Sequence, residues 1–159
     1  MGVEHTGKYL AFDLGGQCYA IEVSRVEVVL ETTPITRVPK AAEHLRGVIN
    51  YRGAVIPVLD LGVRFGIGLS PSGPGTSIIV LSIRYGHEDI TIGVLAQGVR
   101  EVIDLDAARI ERPPQLGARA EDEFVAGIGE RGGEFIVLLD IDKAFRTEGA
   151  PGERTAETQ

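Results

Sequence analysis

Apolar and polar residues alternate along most of the chain, in short runs that are typical of β-strands. The run from Tyr9 to Leu14 has a large apolar side chain at every second position. The pair Gly15-Gly16 follows, and glycines readily adopt the positive φ angles of a tight hairpin turn. Further strands are predicted at 17–23, 26–30, 77–83, 90–96, 99–105, 124–128 and 134–141. Many short strands separated by turns favour an all-β sandwich or barrel.

An internal repeat relates the two halves of the chain. The segment GVINYRGAVIPVLDL at 47–61 recurs as GIGERGGEFIVLLDI at 127–141, an offset of 80 residues (127 minus 47). Upstream, Ile21, Val26 and Val29 recur as Val94, Val99 and Val102, at an offset of 73 (94 minus 21). The second half therefore carries seven extra residues (80 minus 73), which we place within Pro114–Glu123.

Two related small β-barrels, packed into one domain over 8–146, are the predicted architecture. The glycine- and proline-rich segment 66–76 is expected to link barrel one, at about 8–66, to barrel two, at about 77–146. Units of this size are marginal alone, so the two should share an apolar interface. The termini, 1–7 and 147–159, are expected to be flexible. Because proline donates no hydrogen bond to a β-ladder, Pro57 predicts an edge or bulged strand.

Composition and charge narrow the class of protein. The net charge of −7 is spread along the chain, which argues against nucleic-acid or anionic-membrane binding because both require a basic patch. The N-terminus has no basic region followed by a long apolar one, so no secretory signal is expected. A single cysteine, Cys18, fits a structural thiol in a reducing cytoplasm.

Candidate chemistry is sparse. Asp60 and Asp140 could act as acid and base or hold a metal ion, yet each follows a predicted core strand, where an aspartate caps a short helical turn. The three histidines, His5, His44 and His87, lack metal-ligand spacing and are expected at the surface. The prediction is a protein that is not an enzyme and needs no cofactor and no metal.

The tip of the first repeated hairpin, Tyr51-Arg52-Gly53, is the most distinctive exposed feature. Tyrosine and arginine are enriched at interaction hot spots, whereas the alternative is an ordinary polar turn. The composition alone leaves the two interpretations open. A well-formed core without catalytic residues is more typical of a binding module than of an enzyme.

The run RGVINYRGAVIPVLDLGVRFG resembles the signature of the CheW family of chemotaxis coupling proteins, G-V-x-N-x-R-G-x-x-x-P-V-x-D-L followed by phenylalanine. The resemblance extends over about residues 8–146. It implies two packed five-stranded barrels of the Src-homology-3 type and no catalysis. Tyr51 replaces the aliphatic residue that is usual before the tip arginine.

The resemblance also implies partners and site residues. CheW-like proteins are adaptors that join the regulatory domain of the histidine kinase CheA to the cytoplasmic tip of chemoreceptors and help to assemble signalling arrays. It implies a receptor groove with Val26, Ile92, Gly93 and Val102, kinase contacts at Ile35 and Leu116, and a coupling tip at Tyr51, Arg52 and Gly53. A cytoplasmic protein that is monomeric when free and recruited to membrane-associated receptor arrays is expected.

Four alternatives stay open at the level of the sequence. The chain could serve a non-flagellar chemosensory pathway, or act in the same fold on a partner other than a chemotaxis kinase. It could be a small-barrel nucleic-acid binder, which would need basic and aromatic residues along one face. It could also be an enzyme that uses Asp60 or Asp140.

Overall fold

The computed structural model describes residues 7–31, 33–68, 70, 75–105, 110–111 and 124–144. Two short helices follow two of the strands, α1 at Leu61–Arg64 and α2 at Ile141–Ala144, and a 3₁₀ turn occupies Val23–Arg25. The strands are β1 Lys8–Leu14, β2 Gln17–Glu22, β3 Val26–Leu30, β4 Leu45–Tyr51, β5 Ala54–Leu59, β6 Ser77–Tyr85, β7 Glu88–Ala96, β8 Gly98–Asp104, β9 Val125–Arg131 and β10 Glu134–Leu139. The predicted all-β class is confirmed.

The strands form two five-stranded sheets of the same design. Sheet A has the order β8-β1-β2-β10-β9, and sheet B has the order β3-β6-β7-β5-β4. Neighbouring strands are antiparallel except for β2 with β10 and β5 with β7, which are parallel. Each element of β1–β5 therefore has a counterpart in β6–β10, and the repeat predicted from the sequence is present in the topology.

The two halves of the chain exchange strands, which the sequence did not predict. Sheet A combines the hairpin β1–β2 with β8, β9 and β10, and sheet B combines the hairpin β6–β7 with β3, β4 and β5. The chain crosses between sheets at Val23–Arg25 and again at Gln97. The linker at 66–76 instead joins β5 to β6, two strands of sheet B, so it does not mark the division between the sheets.

The sheets are open and not the closed barrels that were expected. In the described residues the edge strand β4 does not bond to β3, because Thr36 takes its free edge: the Thr36 N–H donates to Val48 O at 2.9 Å and the Val48 N–H donates to Thr36 O at 2.8 Å. Glu111 caps the edge of β9 at Ile128 in the same way. In each sheet, therefore, one edge strand, β4 or β9, is bridged by a single residue from outside the sheet.

The described residues form three apolar clusters. The central cluster lies between the sheets and includes Phe12, Ile21, Leu81 and Ile92. Four of its rings form a chain of contacts, Phe12 with Tyr19, Tyr19 with Phe65, and Phe65 with Phe124, with centroids 5.1–6.0 Å apart. Two smaller buried clusters are each formed within one sheet: the sheet A cluster, with Tyr9, Ala11, Cys18, Ala20, Ile103, Leu105, Ile136 and Leu138, and the sheet B cluster, with Ile49, Ile56, Val58, Ile78, Val80 and Leu95. Strands such as β1 are therefore buried on both faces.

Pro57 lies in an interior strand, so the edge-strand alternative of the prediction was wrong, whereas the β4–β5 pairing does have a register shift between Leu45 and Gly47, beside the pair next to Pro57. β5 lies between β7 and β4, and Pro57 pairs with Val48. Since the backbone groups of Val48 bond outward to Thr36, this pair exchanges no hydrogen bonds. The parallel register of β5 with β7 runs from Val58, so the missing N–H of Pro57 falls just before it. Proline is tolerated because no ladder donor is needed at that position.

No helix among the described residues is long and apolar enough to cross a membrane. Several sequence predictions fall outside the described residues. These are the flexible termini apart from Gly7, the insertion within 114–123 and the kinase contact Leu116.

Candidate interaction surfaces

The tip of the β4–β5 hairpin is a two-residue turn at Arg52 and Gly53. Both residues have positive φ angles, 55° and 82°, and Tyr51 pairs with Ala54 on either side of them. The Gly53 N–H donates to Asn50 Oδ1 at 3.1 Å and closes the turn. Positive φ at both central positions is the turn geometry that matches the twist of a hairpin.

The left-handed backbone of Arg52 is unusual for a residue with a side chain. A Cβ atom in this conformation approaches the following carbonyl oxygen, at a cost of about 1–2 kcal/mol. The corresponding turn of the β9–β10 hairpin has glycine at both positions, Gly132 and Gly133, with φ angles of 63° and 84°. The first hairpin therefore keeps an arginine where the same fold elsewhere uses glycine.

The guanidinium group of Arg52 lies over the ring of Tyr51, with its Cζ atom 5.2 Å from the ring centroid. A cation over the face of an aromatic ring at this distance is attracted by the ring quadrupole. The Tyr51 side chain is half-buried and packs against the sheet B cluster, whereas Arg52 and Gly53 are exposed. The tip thus presents a cation on an anchored aromatic ring.

Ile35 lies on the same small core as Tyr51. Its half-buried side chain packs against the sheet B cluster, just before Thr36 bridges to β4. The close crossing requires Gly47, because a Cβ atom there would lie 2.3 Å from Thr36 O and 2.6 Å from Ile35 Cγ2. The structure therefore brings the expected kinase residue and the expected coupling tip onto the same apolar cluster of sheet B.

The four expected groove residues are only partly brought together. Val26 pairs with Leu81, and Leu81 pairs with Ile92, so these three form one row across β3, β6 and β7. Ile92 is 1% exposed and contributes to the central cluster. Val26 is half-buried on that cluster, and it supplies the accessible apolar surface of the row.

Gly93 and Val102 lie apart from this row. Gly93 is buried and faces the sheet B cluster, since a Cβ atom there would lie 2.7 Å from Ile78 Cγ2. Val102 is in β8 of sheet A, pairs with Leu10 and is 51% exposed. Its counterpart in the repeat, Val29, is half-buried against the central cluster. Val102 is thus the most accessible of the four.

Asp60 is a buried helix cap, as the sequence predicted. Its Oδ1 atom accepts from the N–H groups of Gly62 and Val63 and from Ser70 Oγ, and its Oδ2 atom accepts from Ser70 N and Arg46 Nη1. Burial alone would raise the pKa of Asp60, but the bonds from Ser70 and Arg46 outweigh it and hold this pKa below its ordinary value. The carboxylate is fully engaged in structure.

Asp140 is the weaker counterpart of Asp60. Its Oδ1 atom accepts from the Lys143 N–H at 3.2 Å, which confirms the predicted cap of α2. In the described residues no group of three or more histidine, cysteine, aspartate or glutamate side chains is arranged to hold a metal ion.

Two features of the surface were missed by the sequence reasoning. Arg25 Nη1 donates to Asp142 Oδ1 at 3.0 Å and to Ser82 O at 2.8 Å, which ties the crossing between the sheets to α2 and β6. Val55 and Phe135 are large apolar residues left exposed at equivalent positions of the two hairpins, 80 residues apart. The 80-residue offset could have identified these two residues as equivalent. Alternation alone, however, does not tell which face of a strand is covered by the rest of the protein.

Comparison with known proteins agrees with this architecture. A family model described as CheW-like domain matches residues 8–149. The chain is 29% identical over 141 residues to the chemotaxis protein CheW of Klebsiella aerogenes, covering 89% of this chain and 82% of the relative. It is 32% identical over 137 residues to the chemotaxis protein CheW of Thermotoga maritima, covering 84% of each chain. It is also 30% identical over 142 residues to the protein FrzA of Myxococcus xanthus, covering 88% of this chain and 86% of the relative.

A solved structure shows the same fold. The scaffolding protein TtCheW of Thermoanaerobacter tengcongensis superposes with a TM-score of 0.79 at 31% identity, covering 92% of each chain. The family match includes all ten strands and both hairpin tips. This chain therefore belongs to the CheW-like domain family.

Proposed function

We propose that this chain is a non-catalytic chemotaxis adaptor that couples chemoreceptors to a CheA-type histidine kinase through the kinase's regulatory domain. In this role it works in the cytoplasm and is recruited to receptor arrays at the membrane. The observation that carries the proposal is the CheW-like match over residues 8–149, which includes every described element of both sheets. The exposed arginine at the β4–β5 tip supports it.

Ile35 is the proposed centre of the kinase contact. It is half-buried on the sheet B cluster, so its position is fixed while part of its side chain stays accessible. An apolar anchor held by a rigid core loses little conformational freedom on binding, which favours affinity. Leu116 is proposed as a second kinase contact.

The receptor contact is proposed to centre on Val26 and Val102. Val26 is half-buried in sheet B and Val102 is exposed in sheet A, so each offers apolar area to a receptor helix. Ile92 supports Val26 from the central cluster, and Gly93 lets β7 pack closely over Ile78. Individual contacts of this size are weak, and linkage within an array raises the effective affinity.

A calorimetric titration into the regulatory domain of the same organism's CheA-like kinase tests the proposal. We expect saturable one-to-one binding that Ile35→Asp weakens at least about tenfold, because the variant places a charge in an apolar contact. Ile110→Asp is the matched control, since Ile110 is also half-buried and packs against the sheet A cluster next to the bridge at Glu111.

Three results would contradict the proposal. No heat of binding at tens of micromolar, where a typical transient contact registers, would move the function to another partner. Equal losses in Ile35→Asp and Ile110→Asp would trace the effect to stability and remove Ile35 from the interface. Unchanged affinity in Ile35→Asp would also exclude Ile35.

A further inference from the structure

We infer that Tyr51 is a positioning residue for Arg52 and that the pair recognises a carboxylate group on the partner protein. The inference rests on the proposed function, because it takes the β4–β5 tip to be a partner contact. It adds the chemistry of that contact and names a residue that the tip arginine depends on.

The ring of Tyr51 is a fixed platform. It is half-buried against the sheet B cluster, which includes Ile49 and Ile56 of its own hairpin. Arg52 Cζ lies 5.2 Å from the centroid of this ring, within the range of a cation–π attraction. The guanidinium is therefore held beside the turn although the residue itself is exposed.

The backbone adds a second restraint. Arg52 adopts a φ angle of 55°, and the Asn50 side chain accepts from the Gly53 N–H at 3.1 Å and closes the turn around it. A left-handed residue directs its side chain differently from its strand neighbours. A strained conformation held by its surroundings is a feature that clusters at functional sites. The turn and the ring together pre-organise one long, flexible side chain.

The charge of Arg52 is not matched by an ion pair within the described part of the chain. The other arginines near the strand ends are matched: Arg131 contacts Glu101 at 3.5 Å, and Arg100 contacts Asp13 and Glu134 at 2.8 and 3.0 Å. The Tyr51 ring offers the Arg52 guanidinium its π-face and no conventional hydrogen-bond acceptor. The forked N–H groups therefore remain able to bind a planar acceptor, and a carboxylate fits that fork in a bidentate manner.

The contact with the guanidinium then depends on which type of residue occupies position 51. An aliphatic side chain such as leucine could pack on the same core but would give the guanidinium no π-face. Phenylalanine keeps the face and loses only the hydroxyl. Tyr51→Leu and Tyr51→Phe therefore separate the platform from simple core filling.

The platform can be tested first without any partner. Proton NMR of the unmodified protein should show the Arg52 side-chain protons shifted upfield by the ring current of Tyr51. Tyr51→Phe should keep the shift, and Tyr51→Leu should remove it. Unshifted Arg52 protons in the unmodified protein would overturn the inference, whatever the stability of the variants.

The second arm measures receptor-dependent stimulation of the kinase, reconstituted from the same organism's kinase and receptor, together with separate titrations of each partner. Arg52→Ala should lose coupling, and Tyr51→Leu should lower it about three- to tenfold, as expected for a partly desolvated cation–π contact. Tyr51→Phe should stay within about twofold of the unmodified protein. Arg52→Lys should be impaired because it keeps the charge and lacks the fork. The titration that Arg52→Lys weakens identifies which partner carries the carboxylate.

The outcomes separate this inference from the proposed function. Full coupling by Tyr51→Leu alongside defective Arg52→Ala would overturn the inference and leave the adaptor role intact. Full coupling by Arg52→Lys would overturn the inference that the guanidinium binds a carboxylate in a bidentate manner. Full coupling by Arg52→Ala, with kinase binding retained, would overturn both the inference and the assignment of the tip to coupling.

Discussion

The hairpins β4–β5 and β9–β10 have the same length and the same two-residue turn, but they differ at the tip. One turns through Arg52-Gly53 and the other through Gly132-Gly133, with φ angles between 55° and 84° at all four residues. The second hairpin satisfies this geometry with the residue that adopts it at least cost. The first hairpin has an arginine in this strained conformation, so the geometry of the turn does not explain the residue type at this position.

The largest expected difference between the halves concerns the aspartates after the hairpins. Asp60→Asn should lower the free energy of unfolding by about 3 kcal/mol, because it removes a fully buried charge that pairs with Arg46 and accepts two bonds from Ser70. Asp140→Asn should change it by at most about 0.5 kcal/mol, since asparagine caps a helix as well as aspartate does. Urea denaturation of both variants measures the difference, and equal losses would refute it.

Two equivalent glycines, which lie against the bridging residues Thr36 and Glu111, should differ by less in the cost of an added methyl group. Gly47→Ala should cost about 2–3 kcal/mol, because the new methyl group would lie 2.3 Å from the backbone oxygen of Thr36. Gly127→Ala should cost about 1 kcal/mol, since its nearest contact at 2.6 Å is the Ile110 side chain, which can move, and the Glu111 oxygen lies 3.1 Å away. Thermal unfolding gives the comparison. A larger cost for Gly127→Ala than for Gly47→Ala would contradict the expectation that the backbone at Thr36 yields less than the Ile110 side chain.

The smallest expected effect is the exchange of tip residues. Arg52→Gly should raise the free energy of unfolding by up to about 1 kcal/mol because it relieves the left-handed strain, while coupling is lost. Gly132→Arg should lower it by about 1 kcal/mol. Guanidinium denaturation with a receptor-coupling assay on the same samples checks both. A destabilised Arg52→Gly variant would mean that the arginine is retained for folding.

Much of the fold could be predicted from the sequence because it depends on local pattern. Alternation located the strands, and the 80-residue offset of Gly47, Ile56 and Asp60 identified the repeat. The cap at Asp60 followed from its position after a core strand, and the CheW-like family was recognised from the run at 46–66. These features depend on residues close together in the chain.

What could not be predicted depends on partners far apart in the chain. Periodicity does not say which strand β2 pairs with, so the exchange of strands and the open sheets were missed. The interior position of Pro57 was missed because it depends on Thr36, which is distant in sequence, taking the outer bonds of Val48. Ser70 looked like a linker residue, yet it is buried and donates two hydrogen bonds to Asp60. At the tip, the family motif identified Arg52, but the contact between its guanidinium and the Tyr51 ring could be recognised only in the structure.

The exchange of strands also determines how the molecule responds to force. Each half of the chain contributes to both sheets, and one crossing between them is the single residue Gln97 between β7 and β8. The other crossing is tied down by the ion pair of Arg25 with Asp142. The glycine- and proline-rich segment connects two strands of sheet B, so it is not a connection between the two sheets. We therefore expect a force applied to sheet B to be transmitted to sheet A through these two short connections.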